Sequence, residues 1–203
     1  MILLAWLDLA RVLSVGVLLG VFVGRVLVRR PFHLERIRPR YWRAIVQGME
    51  FRDWARLIAI ALGVTAVSIV LSGEVGMLLT RADIPTYNPD EFPITVVQRG
   101  FPWLALILVN VLPIFEEWIF RGILIDEIVR WRGSKLLAVA VSTVVFAVFH
   151  LSNPGTYPAY VLPLIPGGLL LGVCYLYTGL GGAILAHNLY NTYTYLAIIG
   201  VFA

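Results

Sequence analysis

Three short groupings in the 203-residue sequence place ionisable or amide side chains inside stretches otherwise built from apolar residues. Glu116 and Glu117 are adjacent, and Arg121 follows four residues after Glu117, directly behind the uncharged run 101–115. His150 closes the run Phe146-Ala147-Val148-Phe149-His150, and His187 precedes Asn191 by four residues. On a helix Glu117 and Arg121 stack on one face, in the favourable order of acid before base, while Glu116 is rotated from Glu117 by about 100°. One carboxylate is thereby neutralised and the other keeps no countercharge. A lone carboxylate in a poorly solvated site is a good proton acceptor, the property a general base needs. Phe146 and His150 share a face at the same spacing, as do His187 and Asn191. Three segments thus each offer one polar face, and a Glu, two His and an Asn meeting in one cavity would suit activation of water and stabilisation of an oxyanion.

The other ionisable groups in apolar stretches have simpler readings. Asp8 and Arg11 are three apart on one helix face and can pair, and Glu74 lies near the end of its run, within reach of the interface. Cys174 is the single cysteine, falls in none of the groupings, and reads as a small buried apolar residue. No Ser stands in a Gly-x-Ser-x-Gly setting, which argues against covalent catalysis. Glu116 with His150 and His187 could hold Zn²⁺ with a water in the fourth position, but there is no His-Glu-x-x-His and the ligands would come from three helices. The expectation is a site without metal or other cofactor.

The elements that must position these groups follow from composition. Hydrophobic residues make up 60% of the chain and charged ones 14%, against about 45–50% and about 25% in soluble domains. This excludes an ordinary soluble domain, a disordered chain and a disulfide scaffold. A helix needs about 20 mostly apolar residues to cross the ~30 Å hydrocarbon layer, and runs of that kind lie near 2–28, 55–79, 95–124, 135–152, 158–178 and 180–202. The expected fold is all-α: a polytopic membrane bundle of about six helices, treated as one domain over 1–203. The first run carries Asp8 and Arg11, lacks a basic leader and cleavage site, and is expected to be a retained membrane helix rather than a signal peptide. Pro163, Pro166, Gly167 and Gly168 should break or kink the fifth helix. Gly168 and Gly172, and Gly179, Gly181 and Gly182, read as close-packing faces.

The net charge of +4 comes from 16 Lys+Arg against 12 Asp+Glu. Nine arginines crowd the stretch from Arg25 to Arg56 between two apolar runs, where a juxtamembrane loop would meet anionic headgroups, so the basic balance does not imply nucleic acid. Segments 29–54 and 125–135 are basic and 80–94 is acidic. The positive-inside rule puts 29–54 and 125–135 in the cytoplasm and both termini outside. Arginine dominates over a single lysine, Lys135, which hints at a prokaryotic plasma membrane.

Glu-Glu-x-x-x-Arg (Glu116, Glu117, Arg121), Phe-x-x-x-His (Phe146, His150) and His-x-x-x-Asn (His187, Asn191) resemble the three ordered motifs of the CPBP intramembrane proteases, the family of type II CAAX prenyl endopeptidases and bacterial Abi proteins. The resemblance covers 96–203, not 1–95. It implies a metal-independent glutamate protease in which Glu116 activates water and His150 helps position it. His187 and Asn191 would donate to the oxyanion, and Glu117, Arg121 and Phe146 would support the site. The implied partners are the bilayer and a membrane-associated or transmembrane peptide. The alternative is a catalytically inactive scaffold, immunity factor or subunit of a membrane-protein partner. A transporter would show paired broken helices in matching halves, and only the fifth run looks broken.

One geometrical condition follows from the helix boundaries. On the spans above, Glu116 sits toward the basic-loop end of the third helix and His150 near the opposite end of the fourth. Convergence requires the third helix to continue past Phe120 or the fourth to be displaced.

Overall fold

The computed structural model describes the backbone of residues 2–201 and the side chains of residue 6 and of residues 9–201. The expected pairing of Asp8 with Arg11 falls on a side chain outside those described. Arg11 itself donates from Nη2 to the Asn153 carbonyl at 3.0 Å, fixing α1 (Ile2–Arg29) to the loop after His150. The arginine-rich stretch folds into α2 (Phe32–Glu35) and α3 (Pro39–Gly48), and α4 (Phe51–Arg81) follows. Glu50 and Asp53 form a reciprocal capping box that starts α4.

The third apolar run differs from its expected bounds. Residues 93–100 form a separate short helix, α5 (Pro93–Gly100). A continuous helical rod then runs from Pro102 to Arg132: α6 (Pro102–Glu117), a π-helical segment Trp118–Ile125, and α7 (Asp126–Arg132). The expected loop 125–135 is therefore helical as far as Arg132. Asp126 and Glu127 face partners in the arginine-rich stretch instead of solvent alone, which lets the rod continue. Gly133, at φ 68°, ends it, and Ser134 accepts from the Leu137 N–H to start α8 (Lys135–Phe149).

That long rod resolves the condition set by the sequence. Residue 117 lies 16 residues before the turn at Gly133 and residue 149 lies 16 after it, so at equal rise the C-terminal end of the short α8 stops beside Glu117. Glu116 and Glu117 sit near the middle of their rod, not toward its basic end.

The last helix, α9 (Val161–Ile198), is interrupted at Gly179, where φ is 70° and ψ is −166°. Leu171, Cys174 and Ala186 share one apolar cluster with Ala61 of α4, whereas a straight helix would separate residues 171 and 186 by about 22 Å. The two arms, 161–178 and 180–198, are thus a hairpin folded at Gly179. The expected interruption at Pro163 and Pro166 is displaced: Pro163 lies in the first turn, where its missing N–H has no helical partner to lose, and Gly179 is where the dihedrals leave the helical region. Among the described residues five helical stretches are long and apolar enough to cross a membrane, and the last supplies two arms. The chain is an all-helical, integral membrane bundle.

Packing within it relies on small residues. Ala61, Thr65, Ser68 and Ser72 make the buried stripe of α4 against α9, and Thr65 Oγ1 lies 3.1 Å from the Ala186 carbonyl. Gly168 and Gly172 sit against Thr143 and Val139 of α8, where a Cβ would crowd their side chains. The expected close-packing role of this glycine pair is what the contacts give.

At the basic end, Arg36 donates to the Gly122 carbonyl at 2.6 Å and to Asp126 Oδ2 at 2.7 Å, and Tyr175 donates to Asp126 Oδ1 at 2.7 Å. Burial opposes the Arg36 charge, but Tyr175 and Asp126 outweigh it and hold the guanidinium above its ordinary pKa. Wholly buried His33 meets Glu127 at 3.1 Å, and its carbonyl accepts from Trp118 Nε1 at 2.9 Å. These contacts put the 29–54 segment and the α7–α8 turn at the same end of the bundle.

Candidate active site

Glu117 and Arg121 are both fully buried, with Arg121 Nη1 donating to Glu117 Oε1 at 2.7 Å. Arg121 Nη2 donates to the Gly168 carbonyl at 3.0 Å, and the guanidinium lies 4.4 Å from the centre of the Phe146 ring. Phe146 in turn packs edge-on against His150 and His187, with ring centres 4.6 and 5.8 Å away. The wide π-helical turn begins directly after Glu117, a backbone form that recurs at functional sites. Ser142 Oγ from α8 satisfies the Phe120 carbonyl there at 2.7 Å, and Arg36 satisfies that of Gly122.

Glu116 faces the other way, into a cavity of about 420 Å³ that is also lined by Phe146, His150, His187 and Asn191. Its Oε2 is 4.0 Å from His150 Nε2 and 3.8 Å from His187 Nε2. Both distances exceed a direct hydrogen bond and suit one intervening water. The remaining ring nitrogens are committed elsewhere. His150 Nδ1 lies 2.8 Å from the Phe146 carbonyl. A carbonyl only accepts, so Nδ1 carries the proton and neutral His150 presents a lone pair at Nε2. His187 Nδ1 lies 2.8 Å from Glu117 Oε1, a carboxylate oxygen that also receives Arg121, so Nδ1 again donates. Asn191 donates from Nδ2 to the Val109 carbonyl at 3.3 Å, a long bond at the cavity wall.

The site residues singled out from sequence are therefore brought together. Glu116, His150, His187 and Asn191 line one cavity, and Glu117, Arg121 and Phe146 form a contiguous support with Phe146 shared between the two sets. Spacing along one helix found the Glu117–Arg121 pair, but it had no access to the bond from His187, seventy residues on. It also missed the contribution of the chain before residue 96: Ser68, Ser72, Thr86 and Tyr87 line the same cavity. The small residues of α4 at 61, 65, 68 and 72 were the available signal. Among the described residues no group of three or more His, Cys, Asp or Glu is arranged to hold a metal ion.

A helical membrane bundle with a buried carboxylate and two imidazoles around a cavity is the class that fold and site define. Residues 98–193, which contain all three motifs, match the family model described as type II CAAX prenyl endopeptidase Rce1-like. That segment, 96 of the 203 residues, is similar to this family, which supports a relation to the CPBP/CAAX membrane proteases. It is a protease family, which supports hydrolase activity for this chain. No curated protein matches the chain. No solved structure matches it either.

Proposed function

We propose that the chain is an intramembrane endopeptidase that hydrolyses a peptide bond with a water activated by Glu116, without a metal. The observation that carries this reading is the 4.0 Å gap between Glu116 Oε2 and His150 Nε2, two acceptors facing one space. A water there donates one proton to each and turns its oxygen lone pairs toward a carbonyl carbon. Glu116 takes a proton as the C–O bond forms. The carbonyl electrons move onto the oxygen, which Asn191 Nδ2 is placed to meet by leaving the long bond to Val109. His187 Nε2 faces the same space, 3.8 Å from Glu116 Oε2, while its Nδ1 stays on Glu117. Collapse of the tetrahedral adduct breaks the C–N bond, and Glu116 returns its proton to the leaving amine.

Glu117 and Arg121 do not touch the water on this reading. They hold His187 and Phe146, and through Phe146 the ring of His150. The arginine-rich 29–54 segment and the α7–α8 turn are assigned to the cytoplasmic side of a prokaryotic plasma membrane by the positive-inside rule.

The test is turnover of a fluorogenic peptide library by purified protein in liposomes, wild type beside Glu116→Gln. The amide keeps the volume of the carboxylate, so the variant should melt where wild type does and cleave nothing. Cleavage by Glu116→Gln would overturn the glutamate mechanism.

A further inference from the structure

The segment that follows Glu117 is gripped by another part of the chain. Trp118–Ile125 is π-helical, with wide turns closed by i→i+5 bonds, so each residue advances by less than the roughly 100° of an α-helix. Over the eight residues that deficit turns everything downstream relative to Glu117. Two sets of partners depend on the turn. Upstream, Glu117 meets His187 Nδ1 at 2.8 Å, and Arg121 holds both Glu117 and the Gly168 carbonyl. Downstream, Asp126 meets Arg36 at 2.7 Å and Glu127 meets His33 at 3.1 Å. A plain α-helix through 118–125 would rotate the downstream pair away from α2 or the upstream pair away from α9, so the two sets coexist only in the π form.

The grip comes from residues 33–36. The His33 carbonyl accepts from Trp118 Nε1 at 2.9 Å, where the π segment begins. Arg36, directly after α2, reaches the interior of that segment. Its Nη1 donates to the Gly122 carbonyl at 2.6 Å and to the Tyr175 hydroxyl at 3.2 Å, while Nη2 donates to Asp126 Oδ2 at 2.7 Å. Tyr175 in turn donates to Asp126 Oδ1 at 2.7 Å, which ties the cluster to the first arm of α9. A planar guanidinium carries donors at fixed angles and can hold a carbonyl and a carboxylate together, whereas an ammonium on a flexible stem is a single point. Arg36 does not line the cavity, and it lies outside the 98–193 segment.

Resting on the protease reading, we infer that Arg36 is a positioning residue for the hydrolytic site: by holding the Gly122 carbonyl and Asp126 together it fixes the π register that keeps Glu117 on His187. A loosened register moves Glu117 off His187 Nδ1, and misplacing a site group by about 1 Å costs on the order of 10² in rate. The arginine-rich segment is then a working part of the site as well as a topological signal.

The experiment pairs turnover with local hydrogen exchange, read by mass spectrometry on the purified full chain in detergent. Arg36→Met keeps an apolar stem and removes the donors. Its kcat should fall at least about tenfold, and the amides of 118–127 and 183–191 should exchange faster while those of 55–72 keep the wild-type rate. Arg43→Met, which removes an exposed arginine of α3, should change neither. Arg36→Lys keeps the charge and loses the fork, so it should resemble Arg36→Met, and full turnover in it would overturn the inference. Tyr175→Phe removes one hydroxyl from the cluster and should show the same local pattern on a smaller scale, so it decides the matter if Arg36→Met does not fold. Faster exchange along the whole chain, as a general loss of stability would give, overturns the positioning role. Wild-type turnover and exchange in both Arg36→Met and Tyr175→Phe overturn it as well. If wild type cleaves nothing while the local exchange pattern holds, the hydrolytic reading falls and the register clamp stands.

Discussion

His187 Nδ1 and Arg121 Nη1 meet on a single oxygen, Glu117 Oε1, at 2.8 and 2.7 Å, so the imidazole of the last helix is held by a carboxylate of the third span. Glu117 is thus a positioning group as well as half of an ion pair. Replacing it by Gln leaves the wholly buried Arg121 without its charge partner, a loss that costs about 3–5 kcal/mol when one member of a buried pair is removed. We expect Glu117→Gln and Arg121→Ala each to lower the melting temperature in detergent clearly and to reduce turnover. Unchanged melting in both would show that the pair does not stabilise the fold.

His150 should behave differently. Its side chain is 14% exposed, and its one strong anchor is the bond from Nδ1 to the Phe146 carbonyl. Losing that bond costs about 1 kcal/mol, while losing a group that shares the attacking water lowers turnover by about 10²–10⁴. His150→Gln should therefore melt close to wild type and be nearly inactive in single-turnover assays. Full activity in that variant would place the water elsewhere.

The parts of this arrangement that were legible in the sequence are those governed by local rules. The apolar runs, the 117–121 pair, and the shared faces of 146–150 and 187–191 follow from helical period and hydropathy alone. Three features were not legible. The third helix was cut short at 124 because Asp126 and Glu127 look like loop residues until Arg36 and His33 are seen to partner them. The level of Glu116 was misjudged for the same reason, since it depends on how far the rod runs before the turn at Gly133. The interruption expected from Pro163 and Pro166 lies at Gly179: Pro163 falls in the first turn of α9, Pro166 is accommodated inside the helix, and a reversal of direction needs a dihedral pair that glycine adopts.

Metal dependence gives a prediction of the opposite kind from the mutations. A carboxylate and two imidazoles are possible zinc ligands, but each imidazole already directs one nitrogen to a protein acceptor and the other toward Glu116 across the width of a water. Proteolysis should survive prolonged dialysis against EDTA, with no stoichiometric zinc in the purified protein by elemental analysis. Activity lost on chelation and regained with added zinc would replace the glutamate mechanism with a zinc hydrolase.

The hinge at Gly179 carries the last prediction. Its φ of 70° with ψ of −166° lies in a region open essentially to glycine alone, and no atom lies within 4 Å of where its Cβ would stand. A defect in Gly179→Ala would therefore come from the backbone and not from a clash. Forcing an L-residue into that region costs about 1–3 kcal/mol. The strain can be relieved only by swinging one arm of the hairpin, which carries His187 away from Glu117 and Glu116. Gly179→Ala should accordingly lower both melting temperature and turnover. Gly73→Ala serves as the control: Gly73 lies inside α4 with equally open space and no positive φ, so alanine there should be neutral or stabilising by up to about 1 kcal/mol. If the two variants melt alike, the reversal at Gly179 does not depend on glycine, and the placement of His187 by a one-residue hinge would have to be given up.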